Sequence, residues 1–297
     1  MEKSISLAAP NRLIAKIYDY GLLIKFKLLL FVVFSASVAY LLGSRGAVNW
    51  QGFFNLSLGG FLITGAANGL NEIFEKDSDR LMHRTMHRPL PDNRMSEAEA
   101  MIVCILFGLA GFFILSTYIN ITSALLGMIG LFIYAFAYTP LKRTTPFSVF
   151  VGAIPGALPP MIGWVAATGH LSHEAFILFT IQFFWQFPHF WAIAWRLDDE
   201  YKKAGFKMLP STGGKDKATA FQVIVYTVSL IPVGLMPYLF NISGLLSAII
   251  ITIAGLIFTS YSIKLYHSCS DKAARQVMFS SIIYLPVVMI ALVLDKA

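Results

Sequence analysis

The sequence predicts an all-α integral membrane protein, a bundle of nine transmembrane helices with its N-terminus in the cytoplasm. Three observations lead there. Of the 297 residues, 57% are hydrophobic and only 13% charged, against about a quarter charged in a typical soluble domain. Apolar runs recur along nearly the whole chain, and a helix needs about 20 apolar residues to cross a hydrocarbon core. The charges gather in the gaps between the runs, and the basic ones fall almost entirely on one side.

Taken in order, the spans read 24–42, 53–74, 98–119, 122–138, 147–167, 175–195, 219–240, 245–266 and 277–294. The loops test the count. Lys3, Arg12, Lys16, Lys25 and Lys27 precede or open the first span, and Lys76, Arg80, Arg84, Arg88 and Arg94 follow the second. Lys142 and Arg143 separate the fourth from the fifth, and Arg196, Lys202, Lys203, Lys207, Lys215 and Lys217 follow the sixth. Lys264, Lys272 and Arg275 follow the eighth, so only Arg45 and Lys296 fall on the other side. A missed or extra span would invert part of this pattern, which is the cytoplasmic bias of Lys and Arg.

The two long hydrophilic loops, about 75–97 and 197–217, lie on the same side, and an acidic cluster opens each. Two units of a helix pair and an acidic loop suggest a weak internal repeat. No linker marks a second domain, so 1–297 is expected to be one transmembrane domain with 1–20 as a cytoplasmic segment. Glu2 and Asp19 argue against an acid-poor transit peptide, and a retained helix in a bacterial inner membrane is expected. The net charge of +7 sits beside apolar runs, which suits anionic headgroups or a phosphorylated substrate rather than nucleic acid. Cys104 and Cys269 form no disulfide framework.

The first acidic cluster ends the second span. Asn71, Glu75 and Asp79 are spaced i, i+4, i+8, which puts three oxygen ligands on one helix face, with Asn68 and Glu72 close to it. Such oxygens at a membrane surface suit Mg²⁺, which takes carboxylates together with substrate phosphates. Arg80, Arg84 and Arg88 follow at intervals of four, and Arg suits bidentate contact with phosphate. A solvated helix end followed by ordinary loop charge is the plain alternative. The second cluster, Asp198, Asp199 and Glu200 with Lys202 beside it, leaves the sixth span. Gln182, Gln186, His189, Arg196 and Glu200 form one polar stripe along that span, interrupted at Ile193. Polar residues in a membrane helix face a bundle interior or a cavity. His189 lies among Trp185, Phe187, Phe190 and Trp191, a setting for a flat apolar ligand whose metal an imidazole can reach. A structural hydrogen bond for His189 and plain packing for the aromatics are the alternatives. Pro188 should kink this helix. The fifth span is rich in Gly and Pro, from Gly152 to Gly163, which permits close packing around a cavity. The preceding loop, Tyr138 to Thr144, adds the cations Lys142 and Arg143.

Together these residues resemble the UbiA superfamily of membrane prenyltransferases, and within it the branch that acts on haem. The resemblance rests on 71–91 with its Arg-Thr-x-x-Arg-Pro-Leu-Pro tail, on Pro140 to Trp164, on Trp185-Gln-Phe-Pro-His-Phe-Trp191, and on 201–210. It covers nearly the whole chain from about Tyr20. Glu75 and Glu200 stand where the family pattern more often has Asp, and Ser148 where it has Asn.

The resemblance implies farnesyl diphosphate and haem b as substrates and Mg²⁺ as cofactor. It implies Asn71, Glu75, Asp79 and Glu200 as catalytic, with Asp198 and Asp199 joining them as metal ligands. Arg80, Arg84, Arg88, Lys142, Arg143 and Lys202 would bind diphosphate, and His189, Gln186 and Trp191 would meet haem. A haem A synthase or a terminal oxidase is the kind of assembly partner such a product implies. Two other readings stay open: a prenyltransferase acting on an aromatic quinone precursor, and a secondary transporter, in which ionisable groups and broken helices also mark the path.

Overall fold

The computed structural model describes residues 12–297, and all that follows concerns those residues. Lys3 and the remainder of 1–11 lie outside them. The chain is helical: α1 Arg12–Leu23, α2 Phe26–Gly43, α3 Trp50–Asp79, α4 Glu97–Tyr118 and α5 Ile121–Phe132. A π-helical stretch, Ile133–Tyr138, and a short α6, Thr139–Leu141, continue α5. Then come α7 Ser148–Thr168, α8 His173–Arg196, α9 Asp198–Lys203, α10 Lys217–Leu239, α11 Leu245–Ser268 and α12 Asp271–Leu294.

Nine of these segments, with Ile121–Leu141 taken as one, are long and apolar enough to cross a membrane. Polar side chains set where several begin. Asn49, Ser96, Asn120, Asp216 and Ser270 each accept a hydrogen bond from the backbone N–H three residues on, which satisfies an otherwise orphaned helix-start donor. Large apolar side chains such as Leu109, Phe113, Ile253 and Ile283 remain exposed around the bundle, as a lipid-facing surface requires.

The helices close into a ring: α3 packs on α4, α4 on α5, α5 on α7, α7 on α8, α8 on α10 and α12, and α12 returns to α2. The small-residue stretch of α7 brings it close to α2. A side chain at Gly163 would collide with the Ala36 carbonyl oxygen, so glycine here sets the interhelical distance.

Two elements differ from the sequence expectation. The helix carrying the first acidic cluster does not stop at 74; α3 runs 30 residues to Asp79, so the whole cluster is helical. An additional helix, α1, precedes the first span. Its Lys16 and Tyr20 reach Glu99 at 2.9 and 2.7 Å, and Asp19 accepts from Arg94 at 3.0 Å. These contacts clasp it to the start of α4, while Ile14, Ile17 and Tyr18 stay exposed. Cys104 is buried, Cys269 half-buried, and both are free thiols.

Candidate active site

The charged loops after α3, around α6 and around α9 meet at one end of the bundle. The Lys207 N–H donates to Lys142 O at 2.7 Å, and the Arg84 N–H donates to Glu200 Oε2 at 3.4 Å. Under them lies a small polar basin of about 150 Å³, lined by Lys25, Asn71, Glu75, Asp79, Arg84, Arg88, Tyr134, Tyr138, Lys142 and Tyr201, among others.

Asn71, Glu75 and Asp79 reach this basin because α3 stays helical to its end and a spacing of four keeps them on one face. Each is buried and each faces a cation. Lys25 Nζ donates to Asn71 Oδ1 at 2.5 Å, Lys142 Nζ lies 2.7 Å from Glu75 Oε1, and Arg88 Nη1 donates to Asp79 Oδ2 at 2.7 Å. Glu72 has no exposed surface and lies 3.9 Å from Arg88 Nε. Burial opposes the charge on Arg88 and on Lys142, but Asp79 with Glu72, and Glu75 respectively, outweigh it and raise both pKa values. Both side chains therefore stay cationic. Lys25 goes the other way, to about 7, through burial and then the neighbouring Arg88 and Lys142 charges.

The arginine spacing of four does not bring the three side chains together. Past Asp79 the chain turns rather than continuing as a helix, so 80, 84 and 88 do not share a face. Arg88 folds back onto Asp79 and Arg84 lines the basin. Arg80 turns outward to Pro91 O and Asn93 Oδ1, and Arg143 donates to Ser78 Oγ at 2.8 Å. The second acidic cluster stands beside the basin, not in its wall. Asp198 pairs with Lys202 at 2.7 Å, Asp199 is exposed, and Glu200 holds the Arg84 backbone. The second loop sends Tyr201, Phe206 and Met208 into the wall instead.

Asn71, Glu75 and Asp79 offer hard oxygen donors, the set Mg²⁺ takes. Among the described residues no three Asp, Glu, His or Cys side chains converge on one point. This fits a cation held by one or two carboxylates plus substrate phosphates rather than by an all-protein cage.

A larger cavity of about 540 Å³ adjoins the basin, sharing Leu28, Tyr134 and Tyr138 with it. The π-helical turn carries both tyrosines, with ring centroids 5.2 Å apart. π-Helical turns of this kind recur at functional sites. Sequence reading passed over Tyr134 and Lys25. For Tyr134 the available signal was two tyrosines four residues apart at the end of a span; Lys25, which stands between α1 and α2 with a left-handed φ of 53°, carried none.

The wall of the large cavity includes Gln182, Trp185, Gln186, His189, Phe190 and Ile193. Gln182, Gln186 and His189 of the expected polar stripe thus face the cavity together with Ile193, whereas Arg196 is exposed at the end of α8 and Glu200 lies on α9, because the helix breaks at Leu197. Gln182 donates to Gly156 O at 2.8 Å. Pro160, four residues on in α7, has no N–H to bond that carbonyl, so the glutamine supplies the missing donor. Gln186 donates to Ala153 O at 2.9 Å, and a Cβ at Gly156 would collide with its Oε1. His189 Nδ1 meets Ser281 Oγ at 2.7 Å. Trp191 points away from the cavity into the core, against Phe187 and Tyr226. Pro188 lies within an unbroken α8.

A small basin of oxygen ligands and cations, joined to a large apolar cavity through two aromatic rings, is built for an amphiphile with an anionic head. The chain is similar to known proteins over nearly its whole length. The sequence profile of the UbiA prenyltransferase family matches residues 32–283. The chain is 50% identical to protoheme IX farnesyltransferase of Cytophaga hutchinsonii, over 93% of this chain and 97% of that one. It is 45% identical to the protein of that name from Flavobacterium johnsoniae, over 97% and 98%. Among solved structures, digeranylgeranylglyceryl phosphate synthase superposes with a TM-score of 0.78 at 20% identity, covering 95% of this chain and 98% of that one. A UbiA homologue from Archaeoglobus fulgidus, bound to DMAPP and Mg²⁺, gives 0.71 at 16%, covering 92% and 99%. These two likenesses establish the shared fold, and the profile with the close relatives establishes kinship: this chain belongs to the UbiA prenyltransferase family.

Proposed function

We propose that this chain transfers the farnesyl group of farnesyl diphosphate to a vinyl group of haem b. Supporting this are relatives named protoheme IX farnesyltransferase at 45–50% identity over nearly the whole chain. The observation that carries the reading is the shared wall of Tyr134 and Tyr138 between basin and cavity, where a diphosphate head and an apolar acceptor would meet.

Asn71, Glu75 and Asp79 would hold Mg²⁺, and Lys25, Arg84, Arg88 and Lys142 would bind diphosphate oxygens. When bound, Mg²⁺ supplies charge neutralisation on the departing diphosphate. Lys25, Lys142 and Arg88 each already touch an oxygen of the triad. These cations would turn from the triad to phosphate oxygens, leaving the Asn71 amide oxygen and the Glu75 and Asp79 carboxylates to hold the metal. Breaking the allylic C–O bond sends its electron pair to diphosphate, and preorganised cations stabilise that developing charge. The faces of Tyr134 and Tyr138 stabilise the farnesyl cation. The vinyl π electrons then form the new C–C bond, water adds at the resulting cationic carbon, and one proton leaves. The product carries a hydroxyethylfarnesyl group.

The large cavity would hold the farnesyl chain and the porphyrin, with His189 as the haem contact. Asp198, Asp199, Glu200, Arg80, Arg143 and Lys202 would act at the rim, and Gln186 through the α7 backbone. We place the N-terminus and both acidic loops on the cytoplasmic face of a bacterial inner membrane, in one domain. A haem A synthase or a terminal oxidase is the kind of partner that would take up the product.

The test is purified protein in detergent with Mg²⁺ and farnesyl diphosphate, offered either haem b or a hydroxybenzoate. Farnesylated haem alone is expected. A farnesylated hydroxybenzoate with unmodified haem would contradict the acceptor, and no product from either would contradict transfer.

A further inference from the structure

We infer that Ser281 is a positioning residue that fixes the tautomer of His189, leaving Nε2 as a bare nitrogen for the cavity its ring lines. The inference rests on the reading of that cavity as the haem site.

Ser281 lies on α12, whose Ile282, Leu285 and Pro286 also line the cavity. Its Oγ makes two short contacts: 2.6 Å to Met278 O and 2.7 Å to His189 Nδ1. A hydroxyl carries one proton, and a carbonyl oxygen can only accept. The Ser281 proton is therefore committed to Met278 O. Its oxygen must then accept, so His189 Nδ1 carries a hydrogen. In the neutral ring that leaves Nε2 unprotonated.

Ser281 also governs the ring's orientation. Its backbone carbonyl accepts from Trp185 Nε1 at 2.8 Å, and the Trp185 indole stacks on the imidazole with centroids 4.7 Å apart and planes 16° from parallel. One residue of α12 thus holds two rings of α8, the indole through its carbonyl and the imidazole through its hydroxyl. A histidine that ligates metal commonly has its other nitrogen fixed in this way, and losing that partner costs about 10–100-fold in affinity. The ligand class that suits a bare imidazole nitrogen in an apolar cavity is the iron of a porphyrin.

Because the Trp185 bond uses the Ser281 backbone, Ser281→Ala removes the hydroxyl and spares the stack. Two measurements test the role. In ¹⁵N-histidine-labelled protein in detergent, with the His189 signals identified by their loss in His189→Ala, Nε2 should show the unprotonated shift. In Ser281→Ala it should move toward a mixture of tautomers. In titrations with ferric haem, Ser281→Ala should bind about tenfold more weakly with an altered Soret band, while the KM for farnesyl diphosphate stays unchanged. An unprotonated Nδ1 in the wild type overturns the inference. So does wild-type haem affinity in Ser281→Ala, or a parallel loss of farnesyl diphosphate binding, which would mark general loosening. If His189→Ala also binds haem normally, the haem contact falls with it. If the ¹⁵N shifts hold but the wild type takes no haem, the tautomer stands and the ligand assignment fails.

Discussion

Asp79 carries more of the proposed chemistry than any other side chain. It ends α3, is almost wholly buried, and holds Arg88 at 2.7 Å. Asp79→Asn keeps the shape and removes the charge. Turnover should fall at least 100-fold, the scale set by losing one electrostatic group in a preorganised site, with normal amounts of protein in the membrane. Near-normal turnover would remove Asp79 from the metal set. Lys25 is the complementary case. If its ammonium moves from Asn71 to diphosphate, Lys25→Met should raise the KM for farnesyl diphosphate about tenfold, a charge-assisted hydrogen bond's worth. An unchanged KM would show that Lys25 only supports Asn71. That Asn71, Glu75 and Asp79 share one face was legible in the sequence, because helical spacing alone aligns them. Lys25 was not, because a cation at the mouth of a first span looks the same whether it faces lipid headgroups or turns inward.

At the scale of elements, α7 and α8 contribute much of the cavity wall, and Pro160 of one works as a pair with Gln182 of the other. Pro160 frees the Gly156 carbonyl and Gln182 satisfies it. Gln182→Leu retains most of the volume but leaves that carbonyl without a donor, at a cost of about 1–2 kcal/mol. A drop of a few degrees in the unfolding temperature in detergent is expected, and an unshifted transition would dismiss the pairing. The spans themselves were readable from apolar length and loop charge. The π-helical turn at Ile133–Tyr138 was not, since nothing in a local run of aromatic and small residues announces an i→i+5 bond. Nor was the end of α3, which the apolar run places at 74 and the structure at Asp79, because the acidic last turn adds nothing to the hydropathy of the span. Trp191 shows a similar limit: in an aromatic-rich helix, sequence cannot separate the face toward the cavity from the face toward the core.

At the scale of the whole molecule, the two acidic loops are more than 100 residues apart in sequence, and the ring of helices brings them to one end. Thiol pairs placed at Arg84 and Glu200 should cross-link with a short reagent, and farnesyl diphosphate with Mg²⁺ should slow the reaction by closing the basin. Absence of cross-linking would separate the loops and the shared site with them. The account as a whole turns on a diphosphate basin and an apolar acceptor cavity that share Tyr134, Tyr138 and Leu28 as a common wall. The most direct test is mass spectrometry of haem extracted from membranes expressing the chain, beside membranes expressing Asp79→Asn. The account predicts haem heavier by one farnesyl group and one hydroxyl group with its hydrogen in the first, abolished when Mg²⁺ is chelated in isolated membranes, and unmodified haem in the second. Unmodified haem in both, with the wild-type protein present and folded, would contradict it.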